Sequence, residues 1–155
     1  MTDANSRHDI EILNALIEAT LDSADGYEQA AMDATNPAYR KLFQKRAQER
    51  RRVVSDLQRQ VRALGGNPED EDFVLAACRR VFLRLRESLT RGEDSVITEV
   101  ECGEDYIRTR YEEAMEDDDL SVHIRTAVVR AYASVKTGHD QMRDLKRIRP
   151  GRVMT

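Results

Sequence analysis

In this chain apolar residues recur every three or four positions over long runs, and each run ends at a recognisable helix stop. That period puts the apolar residues of a run on one face of a helix. Ile10, Leu13, Ile17, Ala24, Tyr27, Ala31 and Ala34, widened by Leu16 and Leu21, predict a helix over 6–34. Asn36-Pro37 closes it and opens the next, because Asn caps well and Pro suits the first helical position. A second helix over 37–64 carries Tyr39, Leu42, Phe43, Val53, Val54, Leu57, Val61 and Leu64. It stops at Gly65-Gly66-Asn67-Pro68, where glycine accepts a left-handed cap and proline blocks continuation. The acidic stretch 69–72 suits a helix N-terminus, and Val74, Cys78, Val81, Leu85 and Leu89 predict a third helix over 72–90. Past the break at 91–94, a fourth helix over 94–116 carries Ile97, Val100, Ile107, Tyr111 and Ala114. Past Asp117-Asp118-Asp119, a fifth over 120–147 carries Ile124, Val128, Ala131, Val135, Met142 and Leu145.

Two of the turns are very short, so helices one and two, and four and five, form antiparallel hairpins. The third helix, at ~18 residues and a rise of ~1.5 Å each, spans ~27 Å, about the length of a bundle. It can carry the chain back along the outside. The expected fold is therefore all-α: a ferritin-like antiparallel four-helix bundle, two helical hairpins joined by a short extra crossover helix. Five alternating helices are the rival arrangement. One domain is expected over 1–147, with 148–155 a frayed tail.

Composition narrows the function. Charged residues make up 35% of the chain and aromatics 5%, a mixture suited to long helices. No run reaches the 18 or more apolar residues that a membrane span needs, and the polar start at 1–9 does not read as a signal peptide; a cytoplasmic location is the expectation. A net charge of −4 argues against bulk nucleic-acid binding, which calls for a basic face. Arg79, Arg80, Arg84 and Arg86 are concentrated in the third helix, but they spread around it and read as a solvated face. Cys78 and Cys102 make no C-x-x-C pair and are expected as reduced thiols. No activated nucleophile or phosphate-binding glycine loop is present.

The stripes are interrupted at one level. In helix two the inward positions between Phe43 and Val53 are Arg46, Ala47 and Arg50, with Glu49 at the edge; in helix four Glu104 sits at the centre of the stripe. Counting from the turns puts Glu49 and Glu104 at a common depth, level with Leu21 and Ala24 of helix one and with Ala133 and Lys136 of helix five. Asp22 and Asp25 point away. A di-iron centre on this scaffold takes a Glu from each of two helices and a Glu-x-x-His from each of the other two, and this chain has no E-x-x-H. Arg46, Glu49, Arg50 and Glu104 therefore read as a buried ionic layer, since an isolated buried charge is too costly. Glu49, Glu104 and His139 are the alternative, a reduced metal site. His8 and His123 carry no signal.

Leu13-Asn14-Ala15-Leu16-Ile17-Glu18, Asp25-Gly26-Tyr27, Arg46-Ala47-Gln48-Glu49-Arg50, Leu64-Gly65-Gly66, Gly103-Glu104-Asp105, Tyr111-Glu112-Glu113-Ala114 and His139-Asp140 follow one another in an order that resembles a known group. It is a bacterial ferritin-like four-helix-bundle family, domain of unknown function 2383. The likeness runs from Ile10 to Leu145. It implies the ferritin-like fold and a cytoplasmic bacterial protein, and brings no established reaction. Glu49, Glu104 and His139 match the family pattern. The chain departs from that pattern in the third helix, where an aromatic, typically Trp, is usual and Cys78-Arg79-Arg80-Val81-Phe82 stands instead.

The expected function is thus a non-enzymatic association or stress-related protein, a homo-oligomer with a dimer favoured, and no cofactor. Iron or peroxide handling at the reduced carboxylate/His site is the alternative, and anionic-surface or nucleic-acid binding through the third helix the second alternative.

Overall fold

The computed structural model describes residues 4–68 and 93–148. Four helices run through them: α1 Ala4–Asp33, α2 Pro37–Ala63, α3 Glu93–Met115 and α4 Val122–Ile148. Each lies within two residues of a predicted helix. The third predicted helix, its stripe and its four arginines fall outside the described residues, as do the side chain of Leu145 and the chain beyond 148. Among the described residues no helix is long and apolar enough to cross a membrane.

The stop signals work through specific hydrogen bonds. Asn36 Oδ1 accepts from Ala38 N at 2.9 Å and Pro37 opens α2, which satisfies a donor that a helix start otherwise leaves unpaired. At the far end Gly65 turns left-handed with φ 81°. Gly65 N donates to Arg62 O and Gly66 N to Val61 O, both at 3.0 Å, the double bond of a Schellman cap. Gly66 then packs against α1, where an added Cβ would lie 2.8 Å from Ile10 Cδ1.

Hydrogen-bonded partners fix the register. Glu28 meets Arg51 between α1 and α2, Tyr27 meets Glu104 and Thr20 meets Tyr111 between α1 and α3, and Glu112 meets Tyr132 between α3 and α4. Later residues of one helix face earlier residues of its neighbour in every case, so adjacent helices are antiparallel. Gly66 lies beside Ile10, while Val96 and Ile97 cluster with Ala31 and Phe43 at the other end. The exit of α2 and the entry of α3 thus stand at opposite ends of the bundle.

The α3–α4 turn is tied down by tertiary contacts. Asp9, 2% exposed, accepts from the backbone N of Ser121 at 3.0 Å and from its hydroxyl. Arg125 donates to the carbonyls of Met115 and Asp117, covering acceptors that the end of α3 leaves unpaired.

The core is split in two. One apolar cluster gathers Leu13, Ile17, Leu57, Val61, Ile107, Tyr111, Ile124 and Val128 towards the α3–α4 turn. The other gathers Tyr27, Ala31, Phe43, Ile97, Val100 and Met142 towards the α1–α2 turn. What separates them is polar.

Candidate functional site

At the boundary between the two clusters each helix contributes one residue: Tyr27 from α1, Arg50 from α2, Glu104 from α3 and Gly138 from α4. Arg50 is fully buried and Glu104 is 1% exposed. Arg50 Nη2 donates to both Glu104 oxygens, at 2.7 and 2.8 Å, and the Tyr27 hydroxyl donates to Oε1 at 2.7 Å. The guanidinium also lies 5.8 Å from the centre of the Tyr27 ring. Gly138 makes this possible: a Cβ there would lie 2.4 Å from Arg50 Nη2 and 3.1 Å from Arg46 Cδ.

The charges are held rather than poised for chemistry. Burial, reinforced by the Glu104 charge, raises the Tyr27 phenol well above its usual range, so its proton stays in the bond to Glu104. Burial likewise pushes Tyr111 up to about 12, and its hydroxyl is tied to Thr20 Oγ1 at 2.8 Å. Among the described residues Arg50 Nε and Nη1 have no hydrogen-bond partner, a cost that the ion pair must outweigh.

The remaining sequence candidates do not all join this layer. Arg46 is buried and donates through Nη1 to Glu49 and through Nη2 to Gln141. Glu49 is a correction in part: it keeps its ion pair with Arg46, but its side chain is 27% exposed, and it borders the α2–α4 groove and not the core. One residue decides this, since Arg46 and Arg50 take the inward positions of that turn and leave Glu49 at their flank. His139 is buried, but its Nε2 meets Asp105 Oδ1 at 2.7 Å on the α3–α4 side. Glu49, Glu104 and His139 therefore each have a separate partner and do not converge. Cys102 is an exposed free thiol.

The register is a second correction. On α1, counting from the turns placed Leu21 and Ala24 level with Glu104, whereas Tyr27 occupies that level; on α4 the count comes within two residues, since Lys136 lies between Val135 and Gly138, which face Arg50. Glu28 lies five residues before the end of α1 and Arg51 fourteen past the start of α2, so their pairing implies that α2 overruns the end of α1 by about two turns, and a count that assumes flush ends misses this stagger.

Two features were not legible in the sequence. Among the described residues, the ligand atoms of His8, Asp117 and Asp119 come within 4.8 Å of one another at the bundle end; His8 and Asp117 are already bonded at 2.9 Å. Asp22, expected to point away, is half-buried against a cavity between α1 and α3. Burial, with the charges of Asp25 and Glu18 behind it, raises its carboxyl to about 6. A folded-state value above the ordinary 3.8 of a free aspartate means that the folded chain binds this proton more tightly than the unfolded one. Asp22 therefore weakens the fold as pH rises from ~4 and does so fully above ~6. Asp22→Asn is expected to raise Tm by on the order of 2–4 °C at pH 8, allowing for solvent screening of a half-buried group, and to change it little at pH 4. Thermal melts at both pH values test this; a gain independent of pH would sink the assignment.

Comparison with known proteins places the chain. The family model described as Domain of unknown function (DUF2383) matches residues 8–117. The chain belongs to that family. None of the curated proteins compared with it matches. Among solved structures, this DUF2383 chain is similar to a mutant of Dps1 from Mycobacterium smegmatis, with a TM-score of 0.79 at 9% identity, over 94% of this chain and 99% of that one. It is also similar to a dodecameric thioferritin, the bacterioferritin-related protein of Bacteroides fragilis, with a TM-score of 0.74 at 16% identity, over 96% and 90% of the two chains. At those identities the likeness speaks of the fold, which is the ferritin-like four-helix bundle.

Proposed function

We propose that this DUF2383 member acts by association, as a homo-oligomer with a dimer as its smallest unit in an association or stress-related role, and carries no di-iron centre. One observation carries the reading: the Arg50 guanidinium fills the middle of the bundle and takes both oxygens of Glu104. A ferritin-like di-iron site needs four inward carboxylates and two histidines. At the level of Glu104 the other three helices offer a phenol, a guanidinium and a glycine. A dication entering there would have to displace a buried cation 2.7 Å from the carboxylate and would then find one acidic ligand. These residues do not fit an iron pair.

Self-association is supported by the fold, which a dodecameric thioferritin shares. A bundle without a centre of its own has its surfaces left to act with. The test is a pair of measurements on untagged full-length protein from iron-supplemented cells. Sedimentation velocity is expected to show a species of at least twice the 17.8 kDa chain mass, and elemental analysis well under one iron per chain. A strict monomer at high concentration would refute association. One or two irons per chain, lost on Glu104→Ala, would refute the rest and restore the metal-binding alternative.

A further inference from the structure

A cavity of about 260 Å³ lies between α1 and α3. Tyr27 and Glu104 stand in its wall, with their polar atoms bonded to each other. The remaining lining is mostly apolar, including Ala19 and Val100, and contains no Lys or Arg among the described residues.

Two observations distinguish this space from a packing defect. The first is glycine placement. Gly26 of α1 and Gly103 of α3 both line it, each within a helix, where glycine costs stability relative to alanine. At Gly103 no neighbour demands the missing side chain, since a Cβ would meet no atom within 4 Å. What the glycine preserves is the opening itself. The second is Asp22, whose carboxylate lines the cavity and whose Oδ1 is buried with no hydrogen-bond partner among the described residues. Buried acceptors are nearly always satisfied, so this one calls for a donor from outside the chain. Glu99 adds a second acid to the lining.

We propose that this cavity binds a small apolar molecule bearing a primary ammonium group, with the ammonium on Asp22 and the apolar body over the Gly103 backbone against Ala19 and Val100. Size sets the rest of the class. A cavity of ~150 Å³ holds a benzene ring, so this volume takes one ring with a short arm. The acids select a cation and repel a carboxylate, and the apolar walls select against a bare inorganic ion.

The test is calorimetric titration of the full chain with 2-phenylethylamine, and with 2-phenylethanol and phenylacetate as neutral and anionic analogues of similar size. The amine is expected to bind saturably at one site, the alcohol ~10-fold more weakly, as for loss of one charge-assisted hydrogen bond, and phenylacetate not at all. Asp22→Asn should bring the amine down to the level of the alcohol. Gly103→Leu places a side chain in the empty space and improves helix propensity, so it should keep the circular-dichroism spectrum and abolish binding of both. Absence of amine binding, phenylacetate binding as tight as the amine, or full binding by a folded Gly103→Leu chain would each overturn the proposal.

Discussion

Glu104→Leu is expected to cost about 3–5 kcal/mol of unfolding free energy, the usual loss when one partner of a buried ion pair is removed. Arg50 is fully buried, its Nε and Nη1 lack partners among the described residues, and the Val135 carbonyl, 3.5 Å from Nη2, is a neutral acceptor that cannot balance the charge. The Tyr27 hydroxyl loses its acceptor in the same step. The companion Arg50→Met, Glu104→Leu double variant should return most of that loss or exceed the parent, because a well-packed apolar layer is often as stable as the pair it replaces. Urea unfolding of the three chains measures both claims. A double variant as weak as the single one would mean that the layer is needed for reasons other than charge compensation.

The second large effect lies on α4. Gly138→Ala is expected to destabilise by about 1–3 kcal/mol, the range for overpacking a filled core, although alanine favours a helix by ~1 kcal/mol over glycine. The added methyl would lie 2.4 Å from Arg50 Nη2. An arginine tip normally swings aside at little cost, but this one is bonded to both Glu104 oxygens and has no exposed side to turn to. In an Arg50→Met background the closest obstacle is gone and only the milder approaches to Arg46 Cδ at 3.1 Å and Nε at 3.2 Å remain, so the gain in helix propensity should offset most of the cost. That loss of most of the penalty in a double-mutant cycle is the decisive result; equal destabilisation in both backgrounds would show that Gly138 answers to something other than the Arg50 guanidinium.

Both effects concern a layer that the sequence half discloses. An apolar stripe interrupted by Glu104, and another by Arg46 and Arg50, can be read directly, because helical period alone decides which residues turn inward. Which of the two arginines meets Glu104 cannot be read that way. The answer depends on the stagger of α1 against α2, and that stagger brings Tyr27 to the level where flush ends would have put Leu21 and Ala24. Tyr27 and Tyr111 look like ordinary stripe members until their hydroxyls are found bonded to Glu104 and Thr20. Glu49 keeps its Arg46 partner but lies at the rim for a smaller reason: it sits one residue from Arg50, about 100° round the helix, and only the position of α4 determines that this flank opens on a groove.

The sequence by itself determined the four described helices, their stops and the hairpin pairs, because period, caps and turn length are local properties with strong energies. It also determined that no E-x-x-H pair is present, because that motif is a matter of residue type and spacing. The tertiary structure decided what depends on the relative height of the helices: the Tyr27–Arg50–Glu104 cluster, the room that Gly138 leaves for it, the partnership of His139 with Asp105, and the cavity beside Asp22. Helix stagger follows from how side chains of different helices interlock over the whole length of the bundle, a sum of many small contacts that no local pattern in the chain records.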